Sequence, residues 1–275
     1  MENISVLMSV YEKEKGEYLQ AALESIRCQS LPPREMVLVE DGRLTRELYQ
    51  VIAEEKGLFQ REGIAFESVV LPVNQGLGRA LQEGLKKCSC PWVARMDSDD
   101  LSLPTRLEEQ AAFLAKARDI SVVGTEIEEF IHPGYPLRIK HMPKRQEEIL
   151  TYAKVRNPLN HMTVLFRKED VEEAGSYQPL PGLEDYYLWS RMLVLGKRFA
   201  NLPKPLVQAR MGENFEHRRG GFSYFRHYAL LRRLQRRMGL LSFPEYLRAV
   251  LLSAGITLVP GSFRNRLYGI LRRKE

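Results

Sequence analysis

The chain opens on an uncharged run, Ile4–Val10, which predicts a buried strand, and continues with residues 18–27, whose apolar positions recur at helical spacing. Residues 36–39 predict a second strand ending in the turn signal Glu40-Asp41-Gly42, and 45–56 a helix. The alternation repeats with a strand at 66–71, a helix at 78–87, a strand at Trp92–Met96 and a helix at 104–117, with Pro104 near its first turn. Strands alternating with helices predict an α/β fold, a mainly parallel sheet covered on both faces. In such sheets ligands bind beyond the carboxyl ends of the strands. The polar clusters fall there: Ser9-Val10-Tyr11-Glu12, Glu40-Asp41, Asn74-Gln75-Gly76 and Asp97-Ser98-Asp99 each follow a predicted strand. All four are expected to line one crevice.

The middle of the chain is less regular. It predicts strands at 121–130 and 163–167, helices at 146–154 and 185–195, and two short strands at 198–202 and 206–210. From Phe222 onward the pattern is helical and basic, with breaks near 239–243 and 255–262.

Composition changes this picture in three places. With 275 residues and 44% hydrophobic content, the chain can bury one large core, with or without an appendage. Its N-terminus lacks a basic stretch ahead of an apolar run, so no signal peptide is expected. No segment reaches the ~18 apolar residues that a bilayer span requires. Cys28, Cys88 and Cys90 are an odd number without a partner cluster, which argues against a zinc site or disulfide framework and for a reducing cytoplasm. The net charge of +6 is segregated: residues 216–275 carry +10 and the remainder −4. The basic segment interleaves Arg226, Arg232, Arg233, Arg236 and Arg237 with Phe225, Tyr228, Leu230, Leu231 and Leu234. That pattern suits an anionic membrane surface. A helix packed on the body with its arginines in water is the plain alternative, and no nucleic-acid motif accompanies the charge.

Asp97-Ser98-Asp99 is the leading chemical feature. At an extended strand end, residues i and i+2 point the same way. Two carboxylates so placed can hold one hard cation and leave sites open for phosphate oxygens. The competing reading is a solvated acidic turn ahead of a helix. Glu184-Asp185 fits either a helix N-terminus favoured by the dipole or a general base. Arg210 and the following 211–214 and 217–219 segments fit a phosphate-closing loop or an exposed linker. His161 is read as a satisfied polar core residue.

Together these residues resemble glycosyltransferase family 2, of the GT-A fold, and bacterial enzymes that build exopolysaccharide and O-antigen repeat units. The matching motifs are Ser5-Val6-Leu7-Met8-Ser9-Val10-Tyr11, Ser25-Ile26 with Gln29, and Glu35 before Val37-Leu38-Val39-Glu40-Asp41-Gly42. They continue with Asn74, Gly76-Leu77-Gly78, Ala80-Leu81, Gly84, Ala94-Arg95-Met96-Asp97-Ser98-Asp99-Asp100, His161 and Glu184-Asp185. The resemblance implies that Val10, Tyr11, Glu12, Asp41, Arg79 and Asp97 bind a nucleotide-sugar donor; Ser98 of the acidic motif and Arg210 of the basic loop are counted with them as donor contacts. It implies that Asp99 with Asp97 holds Mn2+ or Mg2+, and that Asp185, with Glu184 beside it, serves as catalytic base. It further implies an inverting transfer from a UDP-sugar to a saccharide or lipid-linked saccharide acceptor in cell-surface polysaccharide synthesis, in the cytoplasm and peripherally at the inner membrane face. Residues 1–100 and 101–221 are expected to form donor and acceptor halves, and 222–275 a basic helical tail. Arg43 and Gln82 depart from the family pattern, and the lack of a Gln-x-x-Arg-Trp motif argues against a processive synthase. A nucleotidyltransferase on a similar scaffold, or a non-catalytic nucleotide-sugar-binding subunit, are the alternatives.

Overall fold

In a computed structural model of the chain, residues 3–132, 135–211 and 221–257 are described. The first half comprises β1 (Ile4–Val10), α1 (Gly16–Arg27), β2 (Glu35–Asp41), α2 (Arg46–Arg61), β3 (Ala65–Leu71), α3 (Leu77–Lys87) and β4 (Trp92–Met96). After these come β5 (Leu101–Ser102), α4 (Arg106–Lys116), β6 (Ile120–His132), β7 (Tyr135–Lys140), α5 (Gln146–Ala153), β8 (Leu165–Arg167), α6 (Lys168–Glu173), α7 (Glu184–Val194) and β9 (Arg198–Arg210). Two helices follow, α8 (Phe222–Arg237) and α9 (Phe243–Thr257).

Among the described residues one sheet carries all nine strands, in the order β3-β2-β1-β4-β8-β6-β9-β5, with β7 paired to β6. Strands β1 to β4 are parallel, as their helical crossovers require. Short antiparallel β8 then bridges β4 to β6, and β9 runs parallel to β6. The sheet is therefore mixed rather than uniformly parallel, and it runs without a break through the expected donor and acceptor halves.

Strand alternation sorts the core into two layers. Ile4, Val6, Met8 and Val10 of β1 face α1, α2 and α4 with Leu19, Leu23, Leu48 and Leu107. Leu7, Val37 and Val39 face the other way, onto Ala80, Leu81 and Leu85 of α3. A smaller cluster of Leu180, Leu183, Tyr186 and Leu231 joins α7 to α8.

Several expected boundaries are corrected. Helix α2 continues to Arg61 because Phe59 is fully buried and stacks edge-on against Phe66. The two short strands expected at 198–202 and 206–210 are one strand, β9. Pro203 and Pro205 lack N–H donors, and β6 accommodates that stretch with register shifts around Glu126. The strand expected at 163–167 is a 3-10 turn, His161–Thr163, followed by β8. Strands β5 and β7 and helix α6 carry no periodicity long enough to be read from sequence. In the basic tail, Arg232, Leu231 and Gln235 are buried, so this part of α8 packs on the body instead of facing outward. The expected break at 239–243 is observed between α8 and α9. Residues 212–220, including the His217-Arg218-Arg219 candidate, and those from 258 on lie outside the described residues.

Candidate active site

The acidic cluster begins where β4 stops. Met96 is the last strand residue, and 97–100 form a turn, so the i/i+2 alternation assumed for a strand end does not extend through them. What converges instead are three carboxylates: Asp97, Asp99 and Asp100 each offer an oxygen within 4.8 Å of the others. Asp100 was assigned no role from sequence, although its place in the run Asp97-Ser98-Asp99-Asp100 was visible.

The surroundings show how this charge is carried. Arg95, buried beneath the turn, pairs with Asp97 through Nη1. Arg106, also buried, donates from Nη2 to the Arg95 carbonyl at 2.8 Å. Burial and then the neighbouring Arg95 charge lower Arg106 to about 9. Burial, followed by the charges of Asp97 and Glu14, raises Asp99 to about 7. Burial and the charges of Asp97 and Asp99 raise Asp100 well above the usual carboxylate range. Ser98 Oγ donates to Glu14 Oε2 at 2.6 Å, which brings Glu14 to the same turn. Such a set of crowded oxygen donors fits a hard divalent cation.

Arg210, at the end of β9, is built into this turn. Its backbone N–H donates to Asp100 Oδ1 at 2.7 Å and its Nε to the Asp99 carbonyl at 3.0 Å. Its guanidinium lies between the rings of Tyr18 and Phe130, 3.8 and 4.6 Å from their centroids. Tyr18 and Glu14 lie near the start of α1 and had no sequence signal beyond their position after the first strand.

The other strand ends reach the same edge. Val10 buries its side chain in the core, while Tyr11 and Glu12, just beyond the end of β1, are exposed. Asp41 is buried and accepts from the backbone N–H groups of Gln75, at 2.7 Å, and Gly76, at 3.0 Å. It thereby ties the end of β2 to the loop that starts α3. Arg79, in the first turn of α3, is half exposed and donates to Gln82 at 2.6 Å, with Glu83 at 3.2 Å.

Glu184 and Asp185 open α7. A Cβ on Gly78 would lie 2.7 Å from Glu184 Cγ, so α7 starts directly against the start of α3. Burial raises Glu184 to about 7, its own backbone amide opposing and Asp185 adding to the effect. Asp185 Oδ2 accepts from Asn157 Nδ2 at 2.6 Å, and Oδ1 from the Tyr186 N–H at 2.7 Å. Asn157 had not been singled out from sequence. Tyr177 is fully buried: burial raises its hydroxyl, Arg95 opposes, and the charges of Asp185, Cys88 and Asp97 add to the shift. The hydroxyl lies 2.9 Å from His161 Nε2. Burial and the Arg95 charge hold His161 well below its usual range, so it is neutral, as a satisfied core histidine should be.

A model of Glycosyl transferase family 2 matches residues 5–173. The chain belongs to glycosyltransferase family 2. This glycosyltransferase is 40% identical over 231 residues to the amylovoran biosynthesis glycosyltransferase AmsE of Erwinia amylovora, covering 84% of this chain and 85% of the relative. It is 33% identical over 271 residues to the UDP-Gal:alpha-D-GlcNAc-diphosphoundecaprenol beta-1,3-galactosyltransferase of Escherichia coli, covering 98% and 96%. Among solved structures, S. aureus TarS 1-349 in complex with UDP-GlcNAc superimposes with a TM-score of 0.65 at 20% identity, covering 84% of this chain. The enzyme spans 65% of that structure's length, and the likeness is one of fold, GT-A.

Proposed function

We propose that this glycosyltransferase transfers a sugar from a UDP-sugar to a saccharide carried on a lipid diphosphate, with inversion and with divalent-metal dependence, in bacterial cell-surface polysaccharide synthesis. The observation that carries the reading is a pair of separate acidic groups: Asp97, Asp99 and Asp100 in the turn beyond β4, and Asp185 at the start of α7, the helix whose first residue packs against the start of α3. One group serves the leaving diphosphate and the other the attacking hydroxyl. Asp99, Asp97 and Asp100 would hold Mn2+ or Mg2+, which when bound supplies positive charge against the diphosphate as it departs. Arg210 fixes the acidic turn from the β9 side. Tyr11, Glu12 and Asp41 border the nucleoside, and Arg79 at the start of α3 lies within reach of its pyrophosphate. Asp185 takes the proton from the acceptor hydroxyl, and Asn157 holds its carboxylate in orientation. The acceptor oxygen, losing its proton to that base, attacks the anomeric carbon on the side opposite the bond to the departing diphosphate, and this single displacement inverts the anomeric centre.

The acceptor class draws on the 33%-identical relative, whose name specifies a GlcNAc-diphosphoundecaprenol acceptor and UDP-Gal. The exposed tail faces support placement at an anionic membrane. Helix α8 presents Phe222, Arg226, Leu230, Arg233 and Arg237 outward, and α9 presents Phe243, Leu247, Arg248, Leu251 and Leu252. No helix among the described residues is long and apolar enough to cross a membrane.

The test is Asp185→Asn, assayed with UDP-galactose and UDP-N-acetylglucosamine on a GlcNAc-diphospho-lipid. UDP affinity, measured by calorimetry with Mn2+, stays within about twofold of wild type, and transfer slows by a factor of order 10² or more. Near-normal transfer would remove the base from Asp185.

A further inference from the structure

Five arginines on α8 have the composition of a surface helix, yet one of them is turned inward. Arg232 is fully buried, while Arg226, Arg233, Arg236 and Arg237 are exposed. It shares its face with Tyr228, Leu231 and Gln235, the positions at helical spacing that pack against α7 and α5. Its Nη1 donates to the Lys154 carbonyl at 3.0 Å, to Tyr186 Oη at 2.9 Å and to Gln235 Oε1 at 2.8 Å. Its Nη2 donates to the Val155 carbonyl at 2.5 Å and to Tyr228 Oη. These partners are all neutral. The guanidinium is instead stabilised by carbonyls just past the C-terminus of α5, the negative end of that helix, and by the rings of Tyr186 and Tyr228, 5.2 and 4.6 Å from their centroids.

Both ends of this contact lead to Asp185. Tyr186 is the next residue, and its backbone N–H donates to Asp185 Oδ1. Its own hydroxyl also donates to the Ala153 carbonyl at 2.7 Å, the last residue of α5. Val155 stands two residues before Asn157, whose amide donates to Asp185 Oδ2. Asn157 Oδ1 accepts from the Leu159 N–H at 3.3 Å, which sets which way the amide points. Gln235 closes the circuit by donating to Ser190 Oγ, which donates to the Tyr186 carbonyl. Arg232 therefore holds the helix that carries Asp185 and the segment that carries its hydrogen-bond donor in one fixed relation.

We infer that Arg232 of the C-terminal helix is a positioning residue for transfer, acting through Tyr186 and Asn157 on the orientation of the Asp185 carboxylate. This rests on the proposed role of Asp185 as base. Lysine keeps the charge but cannot span the two carbonyls and two hydroxyls that the guanidinium bridges. A small displacement of a base from its line of attack costs rate without weakening donor binding, since none of the residues proposed to hold the donor belongs to this hydrogen-bond circuit.

The experiment is a double-mutant cycle on the full chain, measuring UDP release with UDP-galactose or UDP-N-acetylglucosamine on a GlcNAc-diphospho-lipid. If that acceptor gives no turnover with wild type, UDP release to water is followed instead. Arg232→Lys lowers kcat by about tenfold and leaves the donor KM within about twofold. In an Asp185→Asn background the same substitution changes kcat by less than about twofold, because the group it positions is gone. Tyr186→Phe, which removes only a hydroxyl, repeats the pattern if Arg232→Lys reduces the yield of folded chain. Equal kcat losses in the two backgrounds would overturn the positioning role and leave Asp185 as base. A near-normal rate for Asp185→Asn alone would remove the base assignment and, with it, this proposal.

Discussion

Asp99→Asn should act in opposite directions on the metal-free and the metal-bound enzyme. Asp99 is raised to about 7, by burial first and then by the charges of Asp97 and Glu14. Because its folded value lies above the ordinary 3.8, the stability it contributes is complete below that value and is lost as pH rises through 7. At ~1.4 kcal/mol per pH unit the ceiling at pH 8 is about 4 kcal/mol, and screening by the remaining solvent contact brings it to ~2 kcal/mol. An amide has no such charge, so the variant gains that amount without metal. For a chain of this size the gain corresponds to a melting temperature roughly 4–8 °C higher. At pH 5 it falls to about a third, since the wild-type carboxyl is then mostly protonated. With Mn2+ and UDP at about 100-fold over their dissociation constant, wild type gains ~2.7 kcal/mol, and the variant gains little or nothing. Thermal scans at pH 5 and pH 8, with and without Mn2+ and UDP, measure all four corners. A metal-free variant less stable than wild type at pH 8, or one that keeps the full Mn2+–UDP shift, refutes the reasoning.

Three further outcomes follow from the packing and the surface. Gly84→Ala gains ~1 kcal/mol of helix propensity but sets a methyl 2.5 Å from both Leu7 and Val39, so net destabilisation by ~1–2 kcal/mol is expected in urea melts; a neutral or stabilised variant contradicts the close approach of α3 to the sheet. Glu184→Gln should flatten the stability profile, because the wild-type carboxyl, raised to about 7, is stabilising below 4.5 and loses that contribution as pH rises through 7. At pH 8 the variant is more stable by up to ~3 kcal/mol in chemical denaturation, and parallel pH profiles for the two proteins would count against the burial of this group. Leu247→Glu combined with Leu251→Glu, both on the exposed face of α9, should abolish co-sedimentation with anionic liposomes and leave UDP binding intact; unchanged sedimentation assigns that face elsewhere.

The first half of the fold was readable because each strand is a short apolar run and each helix has a clear stripe. Four such repeats leave little freedom in topology. Reading failed where the chain stops alternating. Strand β9 looks like two strands because its prolines interrupt the pattern, yet β6 absorbs them with register shifts that only the paired strands reveal. Strand β8 has three residues and bridges β4 and β6 in the antiparallel sense, so its place in the sheet depends on partners far away in sequence.

The candidate site was legible as residue types and less so as geometry. The acids of the β4 turn, Asp185 and Arg210 were all identifiable, but the premise that Asp97 and Asp99 alternate on a strand was wrong, and Asp100 joins them because the strand has already ended. Glu14 and Asn157 meet the site from distant segments through single hydrogen bonds, which leave no periodic trace. The tail shows the limit of charge counting most clearly. A net of +10 over residues 216–275 treats every arginine alike, whereas helical phase separates them into two populations. Arg226, Arg233 and Arg237 share the outer stripe with Phe222 and Leu230, while Arg232 stands on the inner one with Leu231 and Gln235. A deletion of the tail therefore removes the exposed basic stripe and an internal brace on α7 together, and its effect on activity cannot by itself be assigned to either. Substitutions on one stripe at a time separate them: the outer stripe should change liposome binding alone, and Arg232 should change kcat alone.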